Sequence, residues 1–344
     1  MNTKQKKIEN CWITVNKTCN LKCQWCYLNH SVESSSNDLK LEDAYRLADV
    51  VKELGVKAVT ITGGEPLCYN GLLSLVSYLK KKEVSISLNT NGIGLSKRSI
   101  VHKLKKCGLD YINISLKGWN EASYYTNTTK FGFEKVLCAV RNVRAEKLGL
   151  IISIVLTDNM VYNLIELVKE MILKGGSFFY FSFDYSIDNL KNIKHYIKTI
   201  EQFQRCYEQL NIITQGKFIL HTVFPLCIFQ QEFIEHLIYR NQLICGCQLL
   251  NESGLIFDNN ANLIPCNALP DVNMGVYKKD FDESDTLKKH INSRRIRNFY
   301  KRINGVPSIR CLKCYLYNKC RGGCLMQWLV YDYTTLMSIC SHST

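Results

Sequence analysis

Residues 12–26 read Trp-Ile-Thr-Val-Asn-Lys-Thr-Cys-Asn-Leu-Lys-Cys-Gln-Trp-Cys. The first part, through Val15, is aromatic and β-branched and reads as a strand. Three cysteines follow at Cys19, Cys23 and Cys26, so a thiol-rich loop leaves the strand directly. A tetrahedral zinc site would want a fourth ligand close by, and the next cysteine is Cys68. An iron–sulfur cluster can use three thiolates and leave its fourth iron open. An open metal position can bind and activate a small molecule. A zinc knuckle, or three buried thiols, is the plainer alternative at this point.

Outward from that loop, apolar runs and helical periodicities alternate. Strands are predicted at 12–16, 57–62, 84–89, 110–116, 150–156 and 178–184. Helices are predicted at 41–54, 71–82, 97–106, 132–146, 161–173 and 193–210. Six βα units imply a parallel sheet with right-handed crossovers, too few for a closed eight-stranded barrel. The expectation is an α/β fold, an open partial (β/α)6 barrel. Chemistry in such folds sits on loops after the strands. Gly63-Gly64-Glu65-Pro66, Asn91-Gly92 and Ser115-Leu116-Lys117 all fall there. After about residue 215 the rhythm is expected to end. Residues 1–215 are then a core, 216–245 a bridge and 246–344 a cysteine-rich extension.

The chain has 344 residues, 46% of them hydrophobic, enough for a full core. Its N-terminus lacks a signal peptide, and no apolar run is long enough to span a bilayer. Seventeen cysteines without a secretion signal read as metal-binding in a reducing cytoplasm rather than as disulfides. The formal charge is +14. Thiolates held by iron–sulfur clusters would lower that count and leave it basic. The lysines are scattered, so a solvated surface is the preferred reading and a nucleic-acid partner is disfavoured.

The triplet, with Trp25 before its last cysteine, resembles the radical S-adenosylmethionine (SAM) superfamily. The resemblance implies a [4Fe–4S] cluster on Cys19, Cys23 and Cys26 and a SAM site at the strand ends. Gly63, Gly64, Glu65 and Pro66 would form the motif that binds the methionyl amino group. The glycines would let the backbone approach the ligand, and Glu65 would accept from an ammonium. Trp25 or Tyr27 would pack beside the adenine, with Asn91, Ser115 and Ser153 as further contacts. Lys117 stands where relatives often carry Asp, and Thr126–Lys130 where many carry Arg. Lys117 or Lys130 could meet the SAM carboxylate as a point charge.

The C-terminal part carries Cys245-Gly-Cys247, then a hairpin near 254–265 closed by Cys266, then Cys311-x2-Cys314-x5-Cys320-x3-Cys324, and finally Cys340. With Arg321-Gly322-Gly323 before Cys324, this resembles the SPASM extension, which implies two auxiliary [4Fe–4S] clusters and three in all. Cys311, Cys314, Cys320 and Cys340 would hold one. Cys245, Cys266 and Cys324 would hold the other, with Cys247 or, second, Cys227 as fourth ligand. A pair of zinc ribbons is the alternative. Ala261 stands where the family usually has the turn glycine.

By that resemblance the enzyme reductively cleaves SAM to a 5′-deoxyadenosyl radical, which takes hydrogen from a residue of a ribosomally made peptide. A thioether or carbon–carbon cross-link is the favoured product. Formylglycine formation ranks lower, because Asn267 follows the hairpin-closing cysteine where such maturases carry a basic Asp. An epimerase would need a thiol hydrogen donor, for which Cys68 and Cys227 are candidates, though small buried cysteines are ordinary. The early triplet is expected to leave no room for a fused leader-gripping domain, so a separate leader-binding protein or the bridge at 217–246 would hold a precursor peptide, and an electron donor such as flavodoxin or ferredoxin is expected. The other hypotheses are a radical SAM enzyme on RNA or a small molecule, and a non-enzymatic metal scaffold.

Overall fold

Along most of these runs apolar side chains alternate with polar ones, and the alternation decides which face meets the helices. The computed structural model describes residues 8–26, 38–183, 193–251, 254–325 and 327. The strands are β1 (Asn10–Thr14), β2 (Ala58–Thr62), β3 (Ser85–Thr90), β4 (Tyr111–Leu116), β5 (Gly149–Leu156), β6 (Phe179–Phe183), β7 (Phe218–Thr222), β8 (Leu243–Cys245), β9 (Gly254–Phe257) and β10 (Leu263–Ile264). They form one sheet in the order β10-β9-β1-β2-β3-β4-β5-β6-β7-β8. Neighbours from β1 to β8 are all parallel, and β9 is parallel to β1. β10 returns antiparallel to β9. Among the described residues the edges, β10 and β8, do not pair, and the sheet is open there.

β5 shows how sequence sets the layers. Leu150, Ile152, Ile154 and Leu156 are buried, and Ile151, Ser153 and Val155 lie half-buried on the other face. The buried face meets helices. Phe181 packs edge-on against Phe203 of the helix Ile193–Ile213 (ring centroids 5.6 Å) and against Phe218 (5.5 Å). The alternate residues line a concave inner face: Thr60, Ser87, Asn89, Asn113, Ser115, Ser153, Ser182 and His221.

The βα rhythm does not end at residue 215. β7, the helix Gln231–Tyr239 and β8 continue it inside the expected bridge. These elements are short, and the run Phe224-Pro-Leu-Cys-Ile-Phe229 between them is apolar throughout, so neither period stands out. The expected helix 161–173 is two helices, Asp158–Tyr162 and Leu164–Leu173, parted at Asn163. A helix at Glu121–Thr128, capped by the Asn120 side chain on Ser123 N, was absent from the sequence reading. Ala261 takes the left-handed conformation of a turn glycine (φ 63°). No helix among the described residues is long and apolar enough to cross a membrane.

Phe181 is fully buried at the centre of this aromatic layer. Phe181→Ala should lower the unfolding free energy by about 3–5 kcal/mol, read as a shifted denaturant midpoint at unchanged slope. An unshifted midpoint would contradict the packing described.

Candidate active site

The loop after β1 is held by the loop after β2. Gly64 N donates to Asn16 O (2.9 Å) and Glu65 N to Thr18 O (2.8 Å). Asn16 Nδ2 donates back to Glu65 O (2.9 Å). A Cβ on Gly63 would overlap the Asn16 side chain, and one on Gly64 the carbonyls of Lys17 and Thr18. The glycines therefore permit the approach of one loop to the other.

Glu65 is 2% exposed. Its carboxylate accepts from Thr90 Oγ1 (2.7 Å), Asn91 N (2.7 Å) and Leu67 N (3.1 Å). It thus joins the ends of β2 and β3, and most of its acceptor capacity is spent inside the protein. Burial raises its pKa, opposed by hydrogen bonds from Thr90, Asn91 and Leu67 and by Lys117. Asn91 Nδ2 donates to Asn20 Oδ1 (2.7 Å), tying β3 to the cysteine loop. Pro66 opens the single turn Pro66–Cys68.

The far side of the cysteine loop rests on the helix Glu121–Thr128. Lys22 N donates to Thr128 O (3.2 Å), and Gln24 N to Asn127 O (3.1 Å). Tyr124 of that helix is buried, its hydroxyl without a hydrogen-bond partner among the described residues, and so is Trp25 Nε1. The signal for this helix was present in Asn120-Glu-Ala-Ser123, a capping sequence.

Cys19 is exposed, and Cys23 and Cys26 are half-buried. Burial pushes the Cys19 thiol up to about 11, eased by Leu21 N and raised further by Glu65, Cys23 and Cys26. Cys23 is raised by burial and Cys26, with Lys117 pulling it down. Cys23 and Cys26 thus act on Cys19, and Lys117 acts on Cys23. Among the described residues, no three His, Cys, Asp or Glu side chains converge on a single metal ion. A cubane cluster asks less of them, since its thiolates bind separate irons, and this donor set fits that group. Cys68 lies exposed past Glu65, its pKa raised by burial, Glu65 and Asp38.

On the inner face, Lys117 Nζ donates to Ser115 Oγ (2.7 Å) and lies 5.9 Å from the Trp25 ring. Ser153 Oγ donates to Asn113 Oδ1 (2.6 Å), and Asn113 Nδ2 to Asn89 Oδ1 (3.1 Å). Asn89 and Asn113 were missed, as were Tyr180 and His221, whose rings lie 5.8 Å apart. Alternation within Ser85–Thr90 and Tyr111–Leu116 would have shown the asparagines. Burial lowers His221 to about 4 and raises Tyr180. A surface hollow of about 690 Å³ lies at the opposite strand ends, where Lys80 and Asp110 already pair at 2.8 Å.

The C-terminal thiols form two groups. Cys247 lies well below the ordinary thiol range, held there by its hydrogen bond with Cys324 and by the N–H groups of Leu250, Leu249 and Leu325, against burial. Cys266 joins it, raised by burial and by Cys247 and eased by Ala268 N (3.4 Å). Several donors around one sulfur suit a metal-binding thiolate. Cys245, expected with Cys266 and Cys324, has Cys320 as a neighbour and donates to Lys319 O (3.5 Å). Gly246, at φ 83°, turns the chain between Cys245 and Cys247 and parts the two thiols. Cys227 acts on Cys311 and Cys320, and Cys314 acts on Cys311. Tyr27 and Cys340 lie outside the described residues.

Residues 13–172 match the family described as the Radical SAM superfamily. GTP 3′,8-cyclase of Petrotoga mobilis is 30% identical over 174 residues, 48% of this chain and 53% of that protein. Fe-coproporphyrin III synthase of Methanosarcina barkeri is 32% identical over 150 residues, 43% of this chain and 37% of that protein. The chain spans about half the length of the GTP 3′,8-cyclases it matches. Streptococcus suis SuiB bound to precursor peptide SuiA shares its fold, with a TM-score of 0.74 at 20% identity, covering 97% of this chain and 76% of that one. anSMEcpe with bound AdoMet and Kp18Cys peptide gives 0.68 at 18%, covering 96% and 98%.

Gly64→Ala should cost about 1–3 kcal/mol and reduce the iron retained after anaerobic reconstitution. Gly305→Ala, with nothing within 4 Å of its Cβ, should change neither. Because the Glu65 pKa is raised on folding, its contribution is fully present below the ordinary carboxylate pKa and is lost as pH rises through the raised value. Stability measured against pH should therefore fall across that window in the wild type, and Glu65→Gln should remove this component. Parallel profiles would show that Glu65 is not the group responsible.

Proposed function

We propose that this radical SAM enzyme, its domain lying at residues 13–172, installs a modification in a ribosomally made peptide, a thioether or carbon–carbon cross-link before the alternatives. One observation carries the reading. The fold is shared along 96–97% of the chain with enzymes crystallised with peptides, whereas the GTP 3′,8-cyclase relative matches over 48% of it. The inner face is consistent with a peptide: its strand residues are amides, hydroxyls and apolar groups with a neutral His221, suited to main-chain N–H and C=O groups.

Cys19, Cys23 and Cys26 would hold a [4Fe–4S] cluster, with the two C-terminal thiol groups for auxiliary ones. With SAM, the cluster supplies one-electron cleavage to a carbon radical able to take a hydrogen atom. The chain's own residues do the positioning. Glu65 and Asn91 fix the loop, and Trp25 offers its ring beside Lys117. Lys117 would meet the SAM carboxylate as a point charge, with Ser115 beside it as a further polar contact. His221, held neutral by burial, offers the inner face an uncharged hydrogen-bonding ring. Cys68, its thiol pKa raised, would be the hydrogen donor if the reaction is epimerisation. A basic surface suits an acidic electron donor such as flavodoxin or ferredoxin in the cytoplasm.

The second reading, a nucleotide-type small-molecule substrate, draws on the 30% identity to GTP 3′,8-cyclase. Anaerobic protein with a strong reductant and a peptide encoded beside its gene should release 5′-deoxyadenosine and leave the peptide two hydrogens lighter. Cys23→Ala should do neither. Consumption of GTP with every peptide unchanged would favour the second reading.

A further inference from the structure

Lysines are scattered along the chain, but acids are absent from one stretch. Of the formal charge of +14, +11 belongs to residues 286–325, which hold eleven Lys or Arg and no Asp or Glu, and +3 to all the rest. In the helix Arg294–Ile303, Ile296 is buried and Phe299, Tyr300 and Ile303 pack on the core. Arg294, Arg297, Lys301 and Arg302 are exposed on its other side. Among the described residues, only Lys288 and Arg295 of this stretch have an acidic partner within 4.0 Å, Asp285 and Asp280. Arg321 Nη2 donates to Asn304 Oδ1 (3.1 Å) and so ties the end of that helix to the segment after it. The segment is anchored just past β7 and β8: Cys324 N donates to Val223 O (2.6 Å), and Cys245 Sγ to Lys319 O (3.5 Å). The strands from β1 to β8 are all parallel, so this is the end of the sheet from which the cysteine loop leaves β1. Here Ile309, Leu312 and Tyr315 are 78%, 66% and 67% exposed, interleaved with exposed Arg310 and Lys313.

We propose that this basic face holds an acidic segment of the peptide substrate, with apolar side chains of that segment set against Ile309, Leu312 and Tyr315. This rests on the reading that the substrate is a peptide. Like charges gathered in one stretch repel one another, and a ligand of opposite charge relieves the repulsion and is steered toward the face. The position of the face argues for the substrate, because it borders the strand ends where the chemistry is proposed. Its composition argues for a polypeptide over a nucleic acid. Two of the three exposed apolar groups are aliphatic and offer a base no ring to stack on. Acidic side chains alternating with apolar ones would match both features.

The test compares two variants of the full chain that lose the same charge in different places. In the first, Arg294→Gln, Lys301→Gln, Arg310→Gln and Lys313→Gln neutralise the face. In the second, Lys81→Gln, Lys103→Gln, Lys106→Gln and Lys135→Gln act on exposed positions of barrel helices. All eight side chains are exposed, and matching circular dichroism checks that both variants fold. The probe is a fluorescein-labelled synthetic peptide of Glu interspersed with Leu, its binding read by anisotropy. The wild type and the second variant should bind it alike. The first variant should bind it about tenfold more weakly at low salt, with the gap closing as salt rises. With a peptide encoded beside the gene as substrate, the first variant should raise KM by about the same factor at unchanged kcat. Equal weakening in both variants overturns the proposal, as does a wild-type preference for single-stranded RNA or for flavodoxin over the acidic peptide. A wild type that modifies the encoded peptide, with the first variant doing so at the same KM, refutes the docking face and leaves the peptide reading standing. A wild type that modifies no peptide defeats the peptide reading, and the proposal with it.

Discussion

Two backbones approach closely enough at the end of β2 that only glycine fits between them. Gly63 and Gly64 lie against Asn16–Thr18, and the cysteine loop begins where that contact ends. Glu65 then closes the structure from beneath, its buried carboxylate shared among three donors from two strand ends. Hydrogen bonds to an ionised group contribute about 1.5–3 kcal/mol each, and leaving such a group unpaired costs more. The cysteine loop therefore borrows its order from β2 and β3 and from the helix Glu121–Thr128, which receives its other side.

That dependence explains what was legible in the sequence. The first six strands and the cysteine loop's place after β1 follow from local pattern: β-branched runs, helical spacing and three thiols in a short stretch. The role of Glu65 does not. A glutamate after two glycines at a strand end looks like a ligand group, and only the partners Thr90 and Asn91, brought there by β3, show where its oxygens point. β7 and β8 were illegible for another reason. The apolar run from Phe224 to Phe229 has no period, because Phe224, Leu226 and Phe229 are all buried in a turn.

The C-terminal cysteines show the same limit. Spacing identifies thiols but does not sort them, and Cys245 and Cys247 part company at one left-handed glycine. Cys227, eighty-four residues before Cys311, carries no local mark of its neighbours. The continuation of the sheet through β7 brings it there. The same continuation extends the concave face past the sixth strand, adding His221 to a wall otherwise of amides, hydroxyls and apolar groups.

The central claim is that three thiolates on this braced loop, and no fourth protein group, hold an iron–sulfur cluster at the ends of the parallel strands. Diffraction data collected at the iron edge from anaerobically loaded crystals test it most directly. The account predicts an anomalous peak bounded by Cys19, Cys23 and Cys26, one iron lacking a protein ligand, and Glu65 still bound to Thr90 and Asn91. A fourth side chain on that iron, or no iron within the loop, would contradict it.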